Sequence, residues 1–410
     1  MIRRFTLAVT AVLLLTPQIA QADAKLEKQF QTWLQQEVWP EAKAAGVRRK
    51  TFQAAFKGVT LKLDLPDLVI PGKKAGQQVQ KQAEFGRPAR YFTRQTLDYN
   101  TRVGKELRAK HSALLTRLEK QTGVPGRILL AIWGRESGFG RVAIKHDALQ
   151  VLGTKGFLST RADYFTDELI AALQLIEAGH ASPRGLKSSW AGALGQPQFM
   201  PSNVMKYGAD GDGNGTVDLF RSEADTLASI ARYLADHGWV GGRDWGFEVN
   251  VPASLSCALE GPDQGRSIAD WAAMGITRIN GRAFPAHEAK GQGYLMLPSG
   301  RHGPAFLVTP NFYVLKDYNE SDLYALFVGH VGDRVRYNMG DFKVGWGKTD
   351  SLLRSDVAAM QRGLEALGHD VGGADGLAGF RTRRSIGRWQ EAQGQTPTCW
   401  PSKAIVRQLK

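Results

Sequence analysis

The sequence predicts a mainly helical α+β protein that ends in a small, separate helical module. Apolar residues recur at helical spacing through most of the chain, as in Phe30, Trp33, Leu34 and Val38 or in Leu227, Ile230 and Leu234. Alternation of apolar and polar residues is confined to the middle, where Phe247, Val249 and Val251 predict one small sheet. Beyond the glycine-containing stretch 345–350, short glycine-broken helices begin again, which marks a linker and a new module. A chain of 410 residues can bury a sizeable core and has room for two or three domains.

The first residues read as a leader over 1–22. Arg3 and Arg4 precede the apolar run Phe5 to Leu15, and Ala20-Gln21-Ala22 has the small-x-small form of a cleavage site. That run is too short for a permanent membrane span, and no cysteine near Ala22 offers a lipid attachment point. The expected location is therefore the periplasm, if the cell is Gram-negative. Formal charge is +14, so the partner should be anionic. Basic residues are scattered, with no Lys/Arg run interleaved with aromatics, which argues against nucleic acid. Cys257 and Cys399 are the two cysteines, and an exported protein permits either a bridge or two buried thiols.

The first helical stretch covers about 25–60, interrupted at Pro40, and Leu63 to Ile70 is apolar and broken by proline. A helix is predicted from Val103 to Gln121, ended by Gly123-Val124-Pro125. Then comes the chemically loaded stretch Trp133-Gly134-Arg135-Glu136-Ser137-Gly138-Phe139-Gly140. Leu129, Ile132 and Trp133 lie seven, four and three residues before Glu136, so its carboxylate shares the helix's apolar stripe. Shielding from water disfavours the charged form and raises the pKa, the condition for a proton donor near neutral pH. The competing reading pairs Glu136 with Arg135 or Arg141. Asp147 follows eleven residues later and is assigned a structural role.

A helix carrying Leu169, Leu173 and Ile176 is expected to start at Thr166 and stop at Gly179. The segment Ser189 to Ser202 is too rich in glycine for an ordinary helix and too apolar for a solvated loop, which suits a cleft wall. Gln198 offers a donor and an acceptor there, and Trp190 and Phe199 offer ring faces for sugars. Asp210, Asp212, Asn214 and Asp218 stand at positions 1, 3, 5 and 9 of an EF-hand-like calcium loop, with Gly215 at the turn and the Thr216 carbonyl at position 7. Arg221 occupies position 12, so the closing ligand must be Asp225 or Glu223. The alternative makes Ser222 and Asp225 a helix cap. His237-Gly238 ends the next helix, and Phe306 to Val308 and Phe312 to Leu315 read as further strands. In the last module, Val357, Met360, Leu364 and Leu367 share one helix and Ile386 and Trp389 another.

The Glu136 segment, Gly192 to Ser202, Asn311-Phe312-Tyr313, Tyr318-Asn319-Glu320-Ser321 and Tyr324-Ala325 together resemble the lytic murein transglycosylases of the membrane-bound lytic transglycosylase B family. The resemblance implies a lysozyme-like catalytic region, 23–345, in which Glu136 is the acid and base. It implies that Ser189, Gln198, Tyr233, Tyr318, Asn319 and Tyr324 line a glycan cleft, and that Gln82 to Pro88 lies beside it. Gln196-Pro197 departs from an aromatic and glycine common in relatives. Residues 350–410 resemble a peptidoglycan-binding domain through Met360-Gln361, Asp375-Gly376, Thr382 and Trp389-Gln390. The implied activity is cleavage of peptidoglycan glycan strands leaving 1,6-anhydro-N-acetylmuramic acid ends, with structural calcium and with other cell-wall enzymes as candidate partners. A lysozyme-type hydrolase and a non-enzymatic wall-binding scaffold are the rivals. As a separate module, 350–410 is expected to be removable without loss of cleavage of short glycans.

Overall fold

The computed structural model describes residues 16–72 and 83–410. The charged and apolar parts of the leader, and Gln82, lie outside the described residues. The described residues divide into two compact units, one of 16–72, 142–208 and 215–222, the other of 83–141, 209–214 and 223–410.

In the first unit, helix Thr16–Trp33 does not stop at Pro40. It passes through a single π turn, Leu34–Val38, into helix Trp39–Ala44, whose first turn holds the proline. A first-turn proline gives up no helical hydrogen bond, so the chain continues where an interruption was expected. Helix Ala148–Leu158 packs on helix Ala162–Glu177, and Phe30, Leu34, Phe52, Leu152, Leu169 and Leu173 fill the core between these elements. The second of these helices begins four residues before Thr166, whose hydroxyl donates to the Ala162 carbonyl at 3.0 Å instead of capping. Asp147 caps helix Ala148–Leu158, accepting from the Gln150 N–H at 3.1 Å, and pairs with Arg184 at 3.1 Å.

The second unit holds helices Arg94–Lys110, Ser112–Thr122, Gly126–Ser137, Glu223–Asp236, Pro310–Tyr318 and Asp322–Tyr337. The single helix predicted from Val103 is two helices broken at His111, and the first starts earlier, capped by Thr93. Five antiparallel strands run in the order Arg266–Ser267, Gln292–Met296, Ala305–Val308, Gly246–Asn250 and Thr277–Arg278. Phe247 and Leu295 both stand opposite Leu307 and pack with Ile268 and Trp271. Phe312 to Leu315 is helix, not strand. Thr309 caps Pro310–Tyr318 through the Asn311 N–H, and Pro310 opens its first turn. A short apolar run suits either structure; here the Thr-Pro start decides.

The C-terminal helices Arg354–Ala366, Phe380–Ala392 and Lys403–Leu409 enclose Val357, Met360, Leu364, Ile386 and Trp389. Gln361 is their polar hub. Its amide donates to the Leu377 carbonyl and Thr382 hydroxyl, both at 3.0 Å, and its carbonyl accepts from the Gly376 N–H at 2.6 Å. These helices belong to the second unit and are fastened within it. Cys257 and Cys399 form a disulfide, and fully buried Arg383 contacts Glu260 at 2.9 Å and Asp322 at 3.4 Å. Ready removability of this part is therefore not what the packing offers. No described helix is long and apolar enough to cross a membrane.

Candidate functional site

Helix Gly126–Ser137 is buried along almost its whole length, and Gly138, with φ of 57°, ends it one residue after Ser137. Glu136 sits in its last turn. Among the described residues the carboxylate makes no ion pair. Its hydrogen-bond donor is the Tyr324 hydroxyl, 2.5 Å from Oε1. The expected alternative partner Arg135 instead lays its guanidinium over Tyr91 at 4.3 Å and Phe327 at 5.2 Å. Glu136 keeps part of its surface open, yet its surroundings are dense enough that burial pushes its pKa up to about 7, against opposing pulls from Tyr324 and Arg135. Gly134 leaves room that a side chain would take, because an added Cβ would lie 2.5 Å from the Asn100 amide oxygen.

Tyr324 and Tyr318 lie by this carboxylate, and Tyr233 packs on Tyr318. The rings of Tyr318 and Tyr324 are parallel at 6.3 Å, and Tyr233 meets Tyr318 edge-on at 4.9 Å. Burial, then the negative charge of Glu136, pushes both Tyr318 and Tyr324 up, so both remain phenols and Tyr324 remains a donor. Tyr233 donates to the Asp317 carbonyl at 2.6 Å, and His237 stacks on its ring at 3.9 Å. Exposed Asn319 ends helix Pro310–Tyr318 and accepts from the Ser321 N–H at 3.2 Å. Ser321 caps helix Asp322–Tyr337. Glu84, within the Gln82 to Pro88 motif, has a carboxylate that accepts from the Ser321 hydroxyl and from the Asp322 N–H at 2.9 Å. The turn two residues before Tyr324 is thereby fixed. The Gln82 to Pro88 motif was the signal for it, but its contact is 237 residues away in sequence.

Ser189, Gln198 and Phe199 lie in the first unit. Ser189 folds its own loop, with Oγ accepting from the Ala193 N–H at 3.2 Å. Gln198 has a left-handed backbone, φ of 54°, and donates to the Gly195 carbonyl at 3.0 Å. Gly195 is required here, because its φ is 63° and a Cβ would meet the Leu219 carbonyl oxygen at 2.7 Å. Phe199 does not present a ring face. It is 2% exposed and packs edge-on against Tyr207 at 6.3 Å, since the Leu194–Phe199 bridge turns it inward. Trp190 is 49% exposed and does present one.

One ligand oxygen each from Asp210, Asp212 and Asp225 lies within 4.8 Å of the others, and Asp225 is fully buried. Three converging carboxylates, one of them removed from water, are the donor chemistry of a hard divalent cation. Asp210 also accepts from the Gly213 and Asn214 N–H groups. Glu223 does not join the cluster. It pairs with Lys110 and His111, both at 2.6 Å. Thr216 and Asp218 lie in the first unit, where Asp218 accepts from the Phe220 and Arg221 N–H groups at 2.9 and 3.0 Å.

A glutamate with a raised pKa at the end of a buried helix, hydrogen-bonded by a tyrosine, has the chemistry that general acid catalysis needs. The chain belongs to the transglycosylase SLT family, whose domain model matches residues 29–333, and a peptidoglycan binding domain model matches 354–409. Membrane-bound lytic murein transglycosylase B of Escherichia coli K12 is 34% identical over 222 residues, 54% of this chain and 60% of that protein's length. SltB3 of Pseudomonas aeruginosa, solved with NAG-anhNAM-pentapeptide, is 32% identical with a TM-score of 0.82, covering 93% of this chain and 99% of that one. Escherichia coli Slt35, solved in complex with calcium, is 32% identical with a TM-score of 0.52, covering 62% and 80%.

Proposed function

We propose that this chain is a peptidoglycan lytic transglycosylase that cleaves the β-1,4 bond between N-acetylmuramic acid and N-acetylglucosamine and leaves 1,6-anhydro-N-acetylmuramic acid ends. The single observation that carries the mechanism is Glu136, held protonated to about pH 7 with Tyr324 on its carboxylate. Glu136 donates its proton to the glycosidic oxygen, and the bond from muramyl C1 to that oxygen breaks. The resulting carboxylate takes the proton of the muramyl C6 hydroxyl, whose oxygen closes on C1. Capture within one sugar has a high effective molarity, so no second carboxylate is needed to activate water. Asp147, the nearest rival in sequence, is engaged as a helix cap and with Arg184. Tyr318 and Asn319 hold the sugar beside Glu136; Ser189 and Gln198 bind glycan by the family resemblance. The ligand named for SltB3, an anhydro-muramyl glycopeptide, supports this product.

Residues 1–22 act as an export leader to the periplasm, 23–345 as the catalytic region and 350–410 as the wall-binding domain. Asp210, Asp212 and Asp225, with Asn214 as a further loop position, would hold calcium, as the name of the Slt35 structure supports. A calcium ion there would offset the repulsion among these carboxylates and steady the loop, with no part in bond cleavage. Digestion of purified sacculi tests the reaction. Muropeptides should end in anhydro sugars, lighter than hydrolysed ones by one water and resistant to borohydride; predominantly reducible ends would make the enzyme a lysozyme.

A further inference from the structure

The second unit contains a cavity of about 630 Å³ that the mechanism above does not use. It is lined by the end of helix Arg94–Lys110, by helix Ser112–Thr122, by the start of helix Gly126–Ser137 and by the end of helix Asp322–Tyr337. Five cationic side chains line it, Lys105, Arg108, Arg127, Arg243 and Arg336, against two carboxylates, Glu119 and Asp244. Arg127 and Arg243 are held in place, the first by Asp244 at 2.8 Å and Asp333 at 2.7 Å, the second by buried Glu288 at 2.6 Å. Lys105, Arg108 and Arg336 line it without an ion-pair partner among the described residues, Arg336 lying 5.6 Å from the Tyr337 ring centre. Tyr337 adds an aromatic face, 57% exposed, with the Arg127 guanidinium 5.5 Å from its ring centre.

The volume is that of an ordinary ligand pocket. Arg127 precedes Glu136 by nine residues of one helix, so the cavity lies at the far end of that helix, about 14 Å from the acid. A sugar being cleaved at Glu136 does not also fill it. We propose that this cavity is a second binding site, for an acidic peptide that carries a free amino group, the chemistry of a peptide on a neighbouring wall strand. The surplus of cations takes carboxylates, and exposed Glu119, one of whose oxygens accepts from the Gly126 N–H at 3.5 Å, takes the ammonium group with the other. A phosphate polymer brings anions only and gives Glu119 an unfavourable neighbour. The choice of peptide source rests on the proposed action on peptidoglycan; the charge argument does not. Such a site retains the enzyme on peptide-bearing strands and leaves its chemistry alone.

The test uses the full chain with Glu136→Gln, so that binding is read without turnover. It is titrated with a synthetic pentapeptide bearing two carboxylates and one free amine, with its N-acetylated form, and with inorganic phosphate. The free peptide should bind saturably, and Arg108→Gln with Arg336→Gln should weaken it about tenfold, the effect of losing two partly exposed charge pairs. Acetylation should weaken binding to the parent, and Glu119→Gln should abolish that difference. Lys105→Gln, a change on an exposed side chain, must weaken binding in the same direction, which separates the site from a general loss of fold. Peptide affinity unchanged by the arginine substitutions, or phosphate binding without peptide binding, overturns the proposal. On the active enzyme the arginine pair should raise KM for peptide-bearing strands severalfold and leave cleavage of peptide-free strands intact. Peptide binding lost in the variants alongside a wild type that makes no anhydro ends would defeat the enzymatic reading and keep the site.

Discussion

Arg383→Ala should cost the second unit about 3–5 kcal/mol, the usual consequence of stranding one partner of a buried ion pair. The structure supplies the reasons. Arg383 and Glu260 are both 0% exposed, and the guanidinium makes contacts of 2.9 and 3.2 Å to the two carboxylate oxygens. Without it, Glu260 keeps the Leu297 N–H at 3.1 Å as its hydrogen-bond donor and has lost the nearby positive charge that offsets its burial. Burial pushes the Glu260 carboxyl up even in the parent, and the variant removes the main opposing force, so the folded variant takes up a proton. A carboxyl whose folded pKa lies above its unfolded value confers its stability below the unfolded pKa and loses it as pH rises through the folded one. The deficit should therefore be largest near pH 8 and shrink toward pH 5. For a unit of this size the melting transition falls by about 10 °C. Urea denaturation followed by tryptophan fluorescence at both pH values reads the effect. Arg383→Met with Glu260→Met should recover most of it, because two apolar side chains need no counter-charge. A deficit below about 1 kcal/mol at pH 8, or a double variant as weak as the single, would refute the reasoning. Deleting 350–410 removes Arg383 and Cys399 together, so the truncated chain should lose cleavage of soluble glycans along with wall binding.

Glu136→Gln should lower turnover about 100- to 10,000-fold, since the amide keeps the shape and offers no acidic proton. The same variant should gain stability above pH 7, up to about 3 kcal/mol, because it no longer deprotonates a carboxyl raised from 4.5 to about 7; equal melting of parent and variant at pH 8 would contradict the raised pKa. Tyr324→Phe removes the hydrogen bond that pulls the Glu136 pKa down, so the alkaline fall of kcat/KM should move to higher pH; a limb that stays or moves down would show that Tyr324 does not act on the acid. Chelation of calcium should lower the melting temperature, since a ligand at a hundred times its Kd adds about 2.7 kcal/mol. Asp225→Asn should abolish that response, and a melting curve indifferent to chelator in the wild type would dismiss the metal.

What the sequence determined by itself was local or nearly local. The apolar stripe that surrounds Glu136, the Gly138 stop, the acidic loop from Asp210 and the amphipathic C-terminal helices all lie within a few turns of chain, where spacing translates directly into facing. Errors arose where a short run satisfies two periods, as in Phe312 to Leu315, or where an internal residue resembles a cap, as with Thr166. The tertiary structure decided everything that required distant partners. Tyr324 reaches Glu136 across 188 residues and Glu84 holds the Ser321 turn across 237. Asp225 rather than Glu223 joins the acidic cluster because Lys110 and His111 claim the latter. Cys257 pairs with Cys399, and Phe199 turns inward. Composition lets a residue be able to donate, accept or fill space; which partner it meets depends on the packing of elements far apart in the chain, and the raised pKa of Glu136 is a property of that packing.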